Sequence, residues 1–361
     1  MEKRKQNAVI AVLGLLLAGL FLLQLLLPDA ALSYSERRAL AERPELTVDG
    51  VFSGDYFSDL ETYLLDQFPF RDSFRSLKAL FQYYVLGMKD NNDIYMVEGS
   101  LSKLDYPLKE SQAQLAIDKF NAILESHPQI GAAYYALIPD KNYFLAPEGG
   151  YPALDYEKLL TMAGDIDASY IDLFPLLEAS DYYRTDSHWR QECIVPVAQA
   201  LCQAMGTTTY GLDDYRTETQ GGFRGVYAGQ SALPVAGEDM TILLSDVTHS
   251  ARVESLEHGS MPVYNWEDFS GVDPYDVYLS GAEALITLEN PLCGNGRHLI
   301  LFRDSFSSSI APLLLPGYST VTMVDLRYIS SALLDEYVDF TDADVLFLYS
   351  TGMFNAGATL K

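Results

Sequence analysis

The sequence is poor in cysteine, in histidine and in positive charge, and each shortage excludes a class of protein. Three cysteines in 361 residues, Cys193, Cys202 and Cys293, cannot form a disulfide framework. The five histidines form neither an HxH nor an HExxH motif, so we expect no zinc site and no cofactor. With a net charge of −26 and no basic stripe, the chain is not expected to bind nucleic acid.

The sequence is rich in apolar and acidic residues instead. Hydrophobic residues make up 48% of the chain, and 25 residues are tyrosine, which is enough for a packed core. The acidity argues against a polyanionic substrate held by many cations. It suits a protein that works at an exposed surface on a neutral or weakly charged partner, although acidity that serves only solubility would give the same composition.

A long apolar run lies near the start of the chain. Residues 8–27 contain one polar side chain, Gln24, and about 20 apolar residues suffice to cross a bilayer as a helix. The basic residues among positions 1–7 predict a cytoplasmic N-terminus and an extracytoplasmic remainder at the cell membrane. A cleaved signal peptide is the alternative, but its apolar run is shorter and ends in a small-x-small site. We therefore expect an uncleaved single-pass anchor.

Two segments follow the anchor. Residues 28–52 are polar and are interpreted as a juxtamembrane linker, with a juxtamembrane helix as the alternative. Residues 53–128 are expected to form a mainly helical region with Ser53 as an N-cap, because apolar residues there repeat at intervals of three and four. The first such repeat consists of Tyr56, Phe57, Leu60, Tyr63, Leu64 and Phe68.

The pentapeptide FRDSF occurs twice, and its first copy at 70–74 belongs to this helical region. The apolar stripe that begins at Phe70 and Phe74 continues at helical spacing, with Pro69 in the first turn and Gly87 as a stop signal. Asp72 is then expected on the opposite face, towards water. A structural helix accounts for this copy without any chemistry at Ser73.

Residues 129–361 show a different pattern, in which short apolar runs alternate with helical stretches. Such runs are typical of buried parallel strands, and the alternation predicts a doubly wound α/β domain with a mainly parallel sheet. Residues 206–282 interrupt the alternation and are interpreted as an inserted β or irregular segment over one face. The predicted strands are GAAYYALIP (131–139), SYIDL (169–173), HLILF (298–302), STVTMVDL (319–326) and VLFLY (345–349).

The second FRDSF, at 302–306, therefore ends a predicted strand, and active groups of open α/β sheets lie at the carboxyl ends of strands. Ser305 would sit at a helix N-terminus, where the dipole and free N–H groups favour a developing oxyanion. A simple N-cap serine is the alternative. Lys141, Arg327 and Tyr328 follow other strands and could position a substrate, or could form ion pairs with Asp140 and Asp325.

A nucleophilic serine needs a base and a group that orients the base. Asp186 precedes His188 by two residues in YYRTDSHWRQE, and residues i and i+2 of an extended segment project to the same side. The pair Asp246 and His249 is a rival in the inserted segment. His298 begins a strand and is expected to be structural.

At this point TDSHW, followed much later by a strand and DSF, resembles the DHHW family and the related alginate-type O-acetyltransferases, which have SGNH-hydrolase-like domains. FSGDYFSDLETYLLDQFPFRDSF, NNDIYMVEGSL, IPDKNYFL, GGFRGVY and VDLRYI extend the resemblance. It implies that Ser305 is the nucleophile, that His188 is the general base and acid, and that Asp186 orients His188. Ser187 stands where the family name has a second His, and Arg303 where many SGNH hydrolases have Gly.

The resemblance also implies a reaction. We expect an O-acyltransferase that transfers an acyl group, with acetyl the expected group, to a cell-surface polysaccharide and takes it from a multispanning membrane O-acyltransferase. A carbohydrate esterase with the same triad and a non-catalytic glycan-binding or scaffold partner of an export complex are the alternatives. Arg303 and Trp189 join the candidates for substrate contact, with core packing the alternative for Trp189. The oxyanion donor is the Ser305 N–H, and further candidates are Gly281, Asn295 and Asn355.

Overall fold

The chain folds into two separately packed units in a computed structural model that describes residues 2–361. The N-terminal unit holds the chain up to Asn91 together with Ala232–Pro234, and the sheet unit holds Asn92–Ser231 and Val235–Lys361. The expected boundary between the helical region and the α/β domain, at 128/129, is therefore wrong. Helix α5 (Glu110–Ser126) belongs to the sheet unit because it buries its apolar face against the sheet.

The N-terminal unit begins with a long apolar helix. Within its segment Lys3–Leu26, an 18-residue window has a mean hydropathy of 2.7 and none of that window is buried. In the part of the chain that the structure describes, it is the single helix long and apolar enough to cross a membrane. Such a helix fits a membrane anchor or a signal sequence. The elements of this unit are α1 (Glu2–Leu26), β1 (Leu32–Ser33), β2 (Arg38–Ala39), α2 (Val48–Ser53), α3 (Asp55–Asp66), α4 (Arg71–Leu80), a π-helical turn (Phe81–Val85) and β3 (Asp90–Asn91).

Residues 28–52, interpreted from the sequence as a linker or a juxtamembrane helix, contain β1, β2 and most of α2, and side-chain hydrogen bonds tie them to the end of α3. Arg38 donates two hydrogen bonds, of 2.7 and 2.5 Å, to the carboxylate of Asp66. These bonds, which outweigh the effect of burial, lower the pKa of Asp66 to about 2. The Gln67 side chain bonds both the N–H and the carbonyl of Ala30. Side-chain bonds of this kind tie the segment to α3, and the apolar pattern alone did not indicate them.

Helix α4 carries the first FRDSF. It begins at Arg71, preceded by Phe70 in the left-handed region at φ 59°, so the helix starts two residues beyond Pro69 rather than at it. The predicted cap Ser53 is the last residue of α2, and Gly54 precedes α3. Asp72 is exposed, as predicted, and accepts a hydrogen bond from Ser35.

The sheet unit contains the other elements. Its strands are β4 (Ile94–Val97), β5 (Ser100–Lys103), β6 (Ala132–Ile138), β7 (Ser169–Tyr170), β8 (Arg216–Phe223), β9 (Glu238–Leu244), β10 (Arg252–Ser255), β11 (Gly259–Met261), β12 (Leu285–Glu289), β13 (His298–Arg303), β14 (Thr320–Val324) and β15 (Asp344–Ser350). Its helices besides α5 are α6 (Lys141–Gly149), α7 (Tyr156–Ala163), α8 (Val195–Ala204), α9 (Val226–Ser231), α10 (Asp246–Ser250), α11 (Ser307–Leu314) and α12 (Thr351–Phe354).

Short 3₁₀ turns connect these elements. They are Phe174–Leu176, Ala179–Asp181, Gln191–Cys193, Leu212–Asp214, Asp268–Ser270, Pro274–Val277, Leu315–Gly317, Ser331–Glu336 and Gly357–Thr359.

An eight-stranded sheet has the order β11-β10-β12-β14-β13-β15-β6-β7. The strands from β14 to β7 run parallel, as predicted, whereas β12, β10 and β11 add antiparallel strands at one edge. Two of these antiparallel strands come from residues 206–282, so that segment extends the sheet instead of only covering a face. The same segment also contributes the separate antiparallel pair β8 and β9.

Apolar side chains of the central strands alternate between two cores. Along β13, Leu299 and Leu301 join a cluster that includes α8 and α11, while Ile300 and Phe302 join a second cluster that includes α5 and α7. Because helices cover both faces, the run HLILF has no polar side to show to water. This doubly wound arrangement brings the carboxyl ends of β6, β13, β14 and β15 to one edge of the sheet.

Candidate active site

A cavity of about 370 Å³ opens at the carboxyl ends of the parallel strands. Residues that directly follow or end four strands line it: Asp140 after β6, Asp304 and Ser305 after β13, Arg327 beyond β14, and Ser350 at the end of β15. The edge of the sheet predicted from the strand ends is therefore the edge that carries the cavity.

Ser305 lies in the turn between β13 and α11, and it is half-buried among fully buried neighbours. The preceding carboxylate holds this turn. Asp304 accepts hydrogen bonds from the N–H groups of Phe306 at 3.1 Å and of Ser350 at 2.8 Å. These bonds tie the turn to the end of the neighbouring strand β15 and leave the Ser305 side chain facing the cavity.

Trp189 supports the same turn from inside. Its Nε1 donates to the carbonyl of Phe306 at 3.1 Å and to the hydroxyl of Ser309 at 2.9 Å. The residue is fully buried, so the proposed contact of Trp189 with a substrate is wrong. The alternative of core packing describes it better, with the indole N–H holding the start of α11 against the loop that contains His188.

His188 connects Ser305 to a buried carboxylate. The distance from His188 Nε2 to Ser305 Oγ is 2.7 Å, and from His188 Nδ1 to Asp186 Oδ1 it is 2.6 Å. An ionised carboxylate can only accept, so Nδ1 carries the proton and Nε2 can accept the hydroxyl proton. The three residues that the sequence predicted as a triad therefore form one hydrogen-bonded chain, although His188 and Ser305 are 117 positions apart in the sequence.

The local geometry of Asp186 and His188 differs from the expected extended segment. Asp186 Oδ1 also accepts from the backbone N–H of His188 at 3.0 Å, which closes a tight turn. Tyr183 N–H donates to the carbonyl of His188 at 3.0 Å, and the flanking Tyr182 and Trp189 form an antiparallel bridge. A turn closed by hydrogen bonds from the Asp186 side chain thus brings the carboxylate to the imidazole. The i, i+2 projection of an extended strand is not the cause.

The GGFRGVY segment holds the other side of the carboxylate. Val226 N–H donates to Asp186 Oδ2 at 2.7 Å. A Cβ atom on Gly225 would overlap the Asp186 side chain, so no larger residue fits there without movement. With both oxygens engaged and no exposure to solvent, Asp186 is fixed in one orientation.

Lys141 and Glu238 hold the backbone of the same loop, Lys141 through its carbonyls and Glu238 through its N–H groups. Lys141 Nζ donates to the carbonyls of Tyr183 at 2.8 Å, Arg184 at 3.2 Å and Asp186 at 3.1 Å. Glu238 accepts from the N–H groups of Arg184 and Thr185, both at 2.8 Å. We call these two side chains the loop clamp.

The loop clamp corrects the role predicted for Lys141. The side chain is 1% exposed, so it contacts the loop and not a substrate, and its ammonium group bonds carbonyls instead of Asp140. Burial lowers the pKa of Lys141 to about 7, while Asp186 and Glu238 oppose this change.

Tyr275 is a part of the site that the sequence did not reveal. Its ring stacks on His188 with centroids 3.8 Å apart and an angle of 7° between the planes. Its hydroxyl donates to Ser309 at 2.8 Å. The chain has 25 tyrosines, and Tyr275 lies in an irregular part of residues 206–282, so no local pattern could have indicated this contact.

The remaining predicted substrate contacts divide between core and rim. Arg303 is fully buried and donates to Ser308 Oγ at 2.8 Å and to the carbonyls of Gly281 and Glu283 at 3.3 Å, so substrate contact by Arg303 is wrong. Arg327 lines the cavity and forms the expected ion pair with Asp325 at 2.5 Å.

Tyr328 is 50% exposed, lies under the Arg327 guanidinium and does not line the cavity. Its contact with a substrate stays a prediction, as does that of Arg327.

The acidic lining of the cavity was not predicted. Burial raises the pKa of Asp105 to about 6, against the opposing hydrogen bond from Asn355 at 2.7 Å. Burial also raises the pKa of Asp140, although Thr351 and Tyr156 donate to its carboxylate. Asp105 follows no strand of the main sheet and has no motif around it, so the sequence offered no signal for it.

One of the candidate oxyanion donors is in a suitable position. Among residues 2–361, the structure shows no hydrogen-bond partner for the Ser305 N–H. Asn355 lines the cavity, but its amide donates to Asp105 and to the carbonyl of Pro107. Gly281 and Asn295 do not line the cavity, and Asn295 donates instead to the carbonyl of Gly317.

The other histidines considered lie elsewhere. Asp246 and His249 are the first residue and a last-turn residue of the short helix α10, and neither lines the cavity that holds Ser305. His298 Nε2 lies 2.9 Å from the Thr322 hydroxyl on the neighbouring strand, which fits the structural role expected for it.

Comparisons with solved structures support the fold. A DHHW family protein from Eubacterium siraeum matches 75% of this chain and 93% of its own length, with a TM-score of 0.58 and 20% identity. Bacillus cereus PatB1 matches 72% of this chain and 98% of its own, with a TM-score of 0.57 and 20% identity, and it has also been solved with a sulfonyl adduct.

One further solved structure matches weakly, and two other comparisons found no match. The O-acetyltransferase domain of Pseudomonas putida AlgJ matches at a TM-score of 0.41 and 14% identity, covering 68% of this chain and 83% of its own, which is too low to support a conclusion. No protein-family model and no curated protein matches the chain. The fold of this chain is the one found in the DHHW family protein and in PatB1, which confirms the resemblance predicted from the sequence.

Proposed function

We propose that this protein is a membrane-anchored, extracytoplasmic, SGNH-like O-acyltransferase that transfers an acyl group through Ser305 to a hydroxyl of a cell-surface polysaccharide. The observation that carries the proposal is the continuous chain from Ser305 Oγ through His188 to Asp186, with distances of 2.7 and 2.6 Å, at an open cavity. A nucleophile, a base and an orienting carboxylate in this order constitute the machinery of acyl transfer through a serine.

The first half of the reaction acylates the serine. Ser305 Oγ attacks the carbonyl carbon of the acyl donor while His188 Nε2 takes the hydroxyl proton. Asp186 stabilises the imidazolium that forms. Because the Ser305 N–H has no partner within residues 2–361, it can donate to the oxyanion of the tetrahedral intermediate. Collapse of this intermediate breaks the bond to the donor, and the leaving group receives the proton from His188.

The second half transfers the acyl group. A sugar hydroxyl in the cavity attacks the acyl-serine carbonyl, and His188 takes its proton. Collapse restores the Ser305 hydroxyl with that proton and releases the ester of the polysaccharide. If water attacked instead, the products would be a carboxylic acid and free enzyme, which is the esterase reaction.

The location and the partners are parts of the same proposal. An uncleaved α1 would keep the sheet unit at the outer surface of the cell membrane, next to a surface polysaccharide. A multispanning membrane O-acyltransferase would supply acetyl groups from the cytoplasm. The fold shared with the DHHW family protein and with PatB1 is compatible with this role.

The proposal is tested by trapping the acylated serine. The detergent-solubilised full chain is mixed with 4-nitrophenyl acetate, quenched in acid and examined by intact mass and peptide mass spectrometry. We expect one acetyl group on the peptide that contains Ser305, and none in a Ser305→Ala variant. Acetylation that persists in Ser305→Ala, or that maps to Ser73, contradicts the proposal.

A sulfonyl fluoride tests the activated serine without any assumption about the acyl group. The Ser305 oxygen would form a bond to sulfur and fluoride would leave. His188 would take the proton of the Ser305 hydroxyl. We expect labelling at Ser305 in the natural chain and loss of labelling in His188→Ala. Adding an acetyl acceptor oligosaccharide to the acetyl donor then separates the two reactions, since a transferase gives acetylated sugar and an esterase gives acetate.

A further inference from the structure

Helix α4 and the π-helical turn behind it present their apolar side to the outside of the N-terminal unit. We call this surface the apolar stripe. Its members are large side chains that lie on one helical face and are between 45% and 66% exposed. They are Phe70, Phe74, Leu77, Phe81, Tyr84 and Val85.

The opposite face of α4 is polar or small, and apart from the exposed Asp72 it is the face that packs. Ala79 is fully buried. Arg75 donates to the hydroxyl of Ser35 at 3.0 Å and lies 3.3 Å from Glu36, and Arg71 lies 2.7 Å from the same Glu36. A helix at the surface of a soluble protein does the reverse, with its apolar stripe inside and its charges outside. The apolar stripe therefore requires an apolar environment outside the unit.

Helix α3 shows where that environment lies. Its apolar residues Phe57 and Leu64, together with Phe68 just beyond its end, line a groove with Phe21 and Gln24 of α1. Gln24 Nε2 also donates to the carbonyl of Leu64 at 2.9 Å, a bond between the two helices.

This bond sets the depth of α3. Gln24 is three residues from the end of the apolar run at Leu27, and a helix rises 1.5 Å per residue, so the contact lies about 5 Å inside the run. If α1 crosses a bilayer, α3 lies where the hydrocarbon ends. Helix α4 follows after four residues, and the rings of Phe68 and Phe74 pack edge to face with centroids 5.6 Å apart.

We propose that α3 and α4 lie in the outer surface layer of the bilayer, with the apolar stripe inserted among the upper parts of the lipid chains. The continuity from α1 through α3 to the stripe favours lipid over a second copy of the chain. Phenylalanine, tyrosine and leucine on one face, with Lys78 at its flank, are suited to this layer. The inference rests on the proposal that α1 spans a membrane, and it is independent of the chemistry at Ser305.

Tryptophan fluorescence in vesicles tests this placement on the full chain. A Leu77→Trp variant is reconstituted into phosphatidylcholine vesicles with and without lipids brominated near the top of the acyl chain. The native Trp189 and Trp266 supply the background, which the natural chain measures. Leu77 is 62% exposed, so the larger ring fits. We expect the bromolipids to remove at least about half of the added emission, and a Phe81→Trp variant to behave in the same way.

An Asp59→Trp variant is the matched control, because this exposed residue of α3 lies on the helical face opposite Phe57 and Leu64. Its added emission should keep the value measured without bromine. Unquenched emission at both 77 and 81, in chains that stay with the vesicles after an alkaline wash, overturns the inference, including the case in which a second copy covers the stripe. A chain that the wash removes overturns the anchor and the inference together, whereas loss of Ser305 labelling affects neither result.

Discussion

The two copies of FRDSF have the same five residues and opposite surroundings. In the copy at 70–74, Phe70 is 64% exposed and precedes a helix in the left-handed region. In the copy at 302–306, Phe302 is fully buried in β13, and its ring stacks on Phe347 with centroids 4.8 Å apart. The comparison teaches that the pentapeptide specifies neither a conformation nor a function. The elements around it decide both.

The aspartate and the serine differ in the same way. Asp72 is exposed and bonds a neighbouring serine side chain, whereas Asp304 accepts two backbone N–H groups inside the protein. Ser73 lies on the surface of α4, whereas Ser305 faces His188. A strand end held by a carboxylate makes a serine available to a base, and a regular helix does not.

The largest expected difference between the copies is in activity. Ser305→Ala should lower the rate of acetyl ester cleavage by at least about a thousand-fold, because it removes the nucleophile. Ser73→Ala should leave the rate unchanged. Both rates follow from the release of 4-nitrophenol by the detergent-solubilised chain. Equal rates in the two variants would remove the functional distinction between the copies.

The first phenylalanine of each copy, Phe70 and Phe302, allows the two surroundings to be compared through the stability of the protein. Phe302→Ala should destabilise the sheet unit by about 3–5 kcal/mol, because a buried aromatic ring leaves a cavity. Phe70→Ala should change stability by less than about 0.5 kcal/mol, since the side chain contributes little to the interior. Denaturant unfolding followed by near-ultraviolet circular dichroism measures both. A Phe70→Ala variant as unstable as Phe302→Ala would mean that the stripe is covered by protein.

The loop clamp provides a test of how the base His188 is held next to Ser305 in the second copy. Lys141→Met removes three bonds to the loop of Asp186 and His188, and a displacement of about 1 Å can lower kcat by about a hundred-fold. We expect kcat to fall with KM nearly unchanged and the pH profile to shift as the imidazole loses its fixed carboxylate. Lys141→Arg, which keeps donors at this position, should retain more activity. A Met variant with the natural kcat and pH profile would exclude a positioning role.

The smallest effect concerns Asp105 in the cavity beside the second copy. Its pKa of about 6 in the folded chain exceeds the ordinary 3.8, with burial as the main cause. The folded state therefore holds this proton more tightly than the unfolded state, so the stabilisation is complete below about pH 4 and is lost as pH rises through about 6.

The side chain of an Asp105→Asn variant stays neutral at every pH. The free energy of unfolding of this variant, relative to that of the natural chain, should therefore rise as the pH increases from about 4 to above about 6. We expect almost no difference at pH 4 and a gain of about 1–2 kcal/mol at pH 7.5, a value reduced for partial exposure to solvent. Unfolding midpoints at the two pH values measure the change. A gain of equal size at both would show that the carboxyl does not titrate there.

Local sequence patterns predicted the elements that are buried on both sides. HLILF and VLFLY appear as strands within one or two residues of the predicted bounds, because a continuous apolar run between turns has few other solutions. The antiparallel strands β10, β11 and β12 on one side of the sheet were not predicted. They are short, and their pairing depends on a distant strand and not on their own residues.

The candidate site shows the same division. Ser305, His188 and Asp186 were predicted because the strand end and the Asp-x-His spacing made them candidates and the family resemblance implied their roles. Tyr275 and the loop clamp were not, since their contacts join segments far apart in the chain. Arg303 and Trp189 were assigned to substrate because a polar or aromatic side chain near a motif gives no indication of the direction in which it points.

The sequence by itself determined the apolar N-terminal helix, the parallel strands and the order in which the carboxylate, the histidine and the serine occur. Only the tertiary structure brought Ser305 and its predicted base into contact and decided which side chains hold them there, since the residues of FRDSF specify no such contact by themselves. The physical reason is that periodicity records which residues avoid water, whereas a hydrogen bond of 2.7 Å between Ser305 and His188 requires two distant turns to be held at once. Asp304 holds one of them and the loop clamp holds the other.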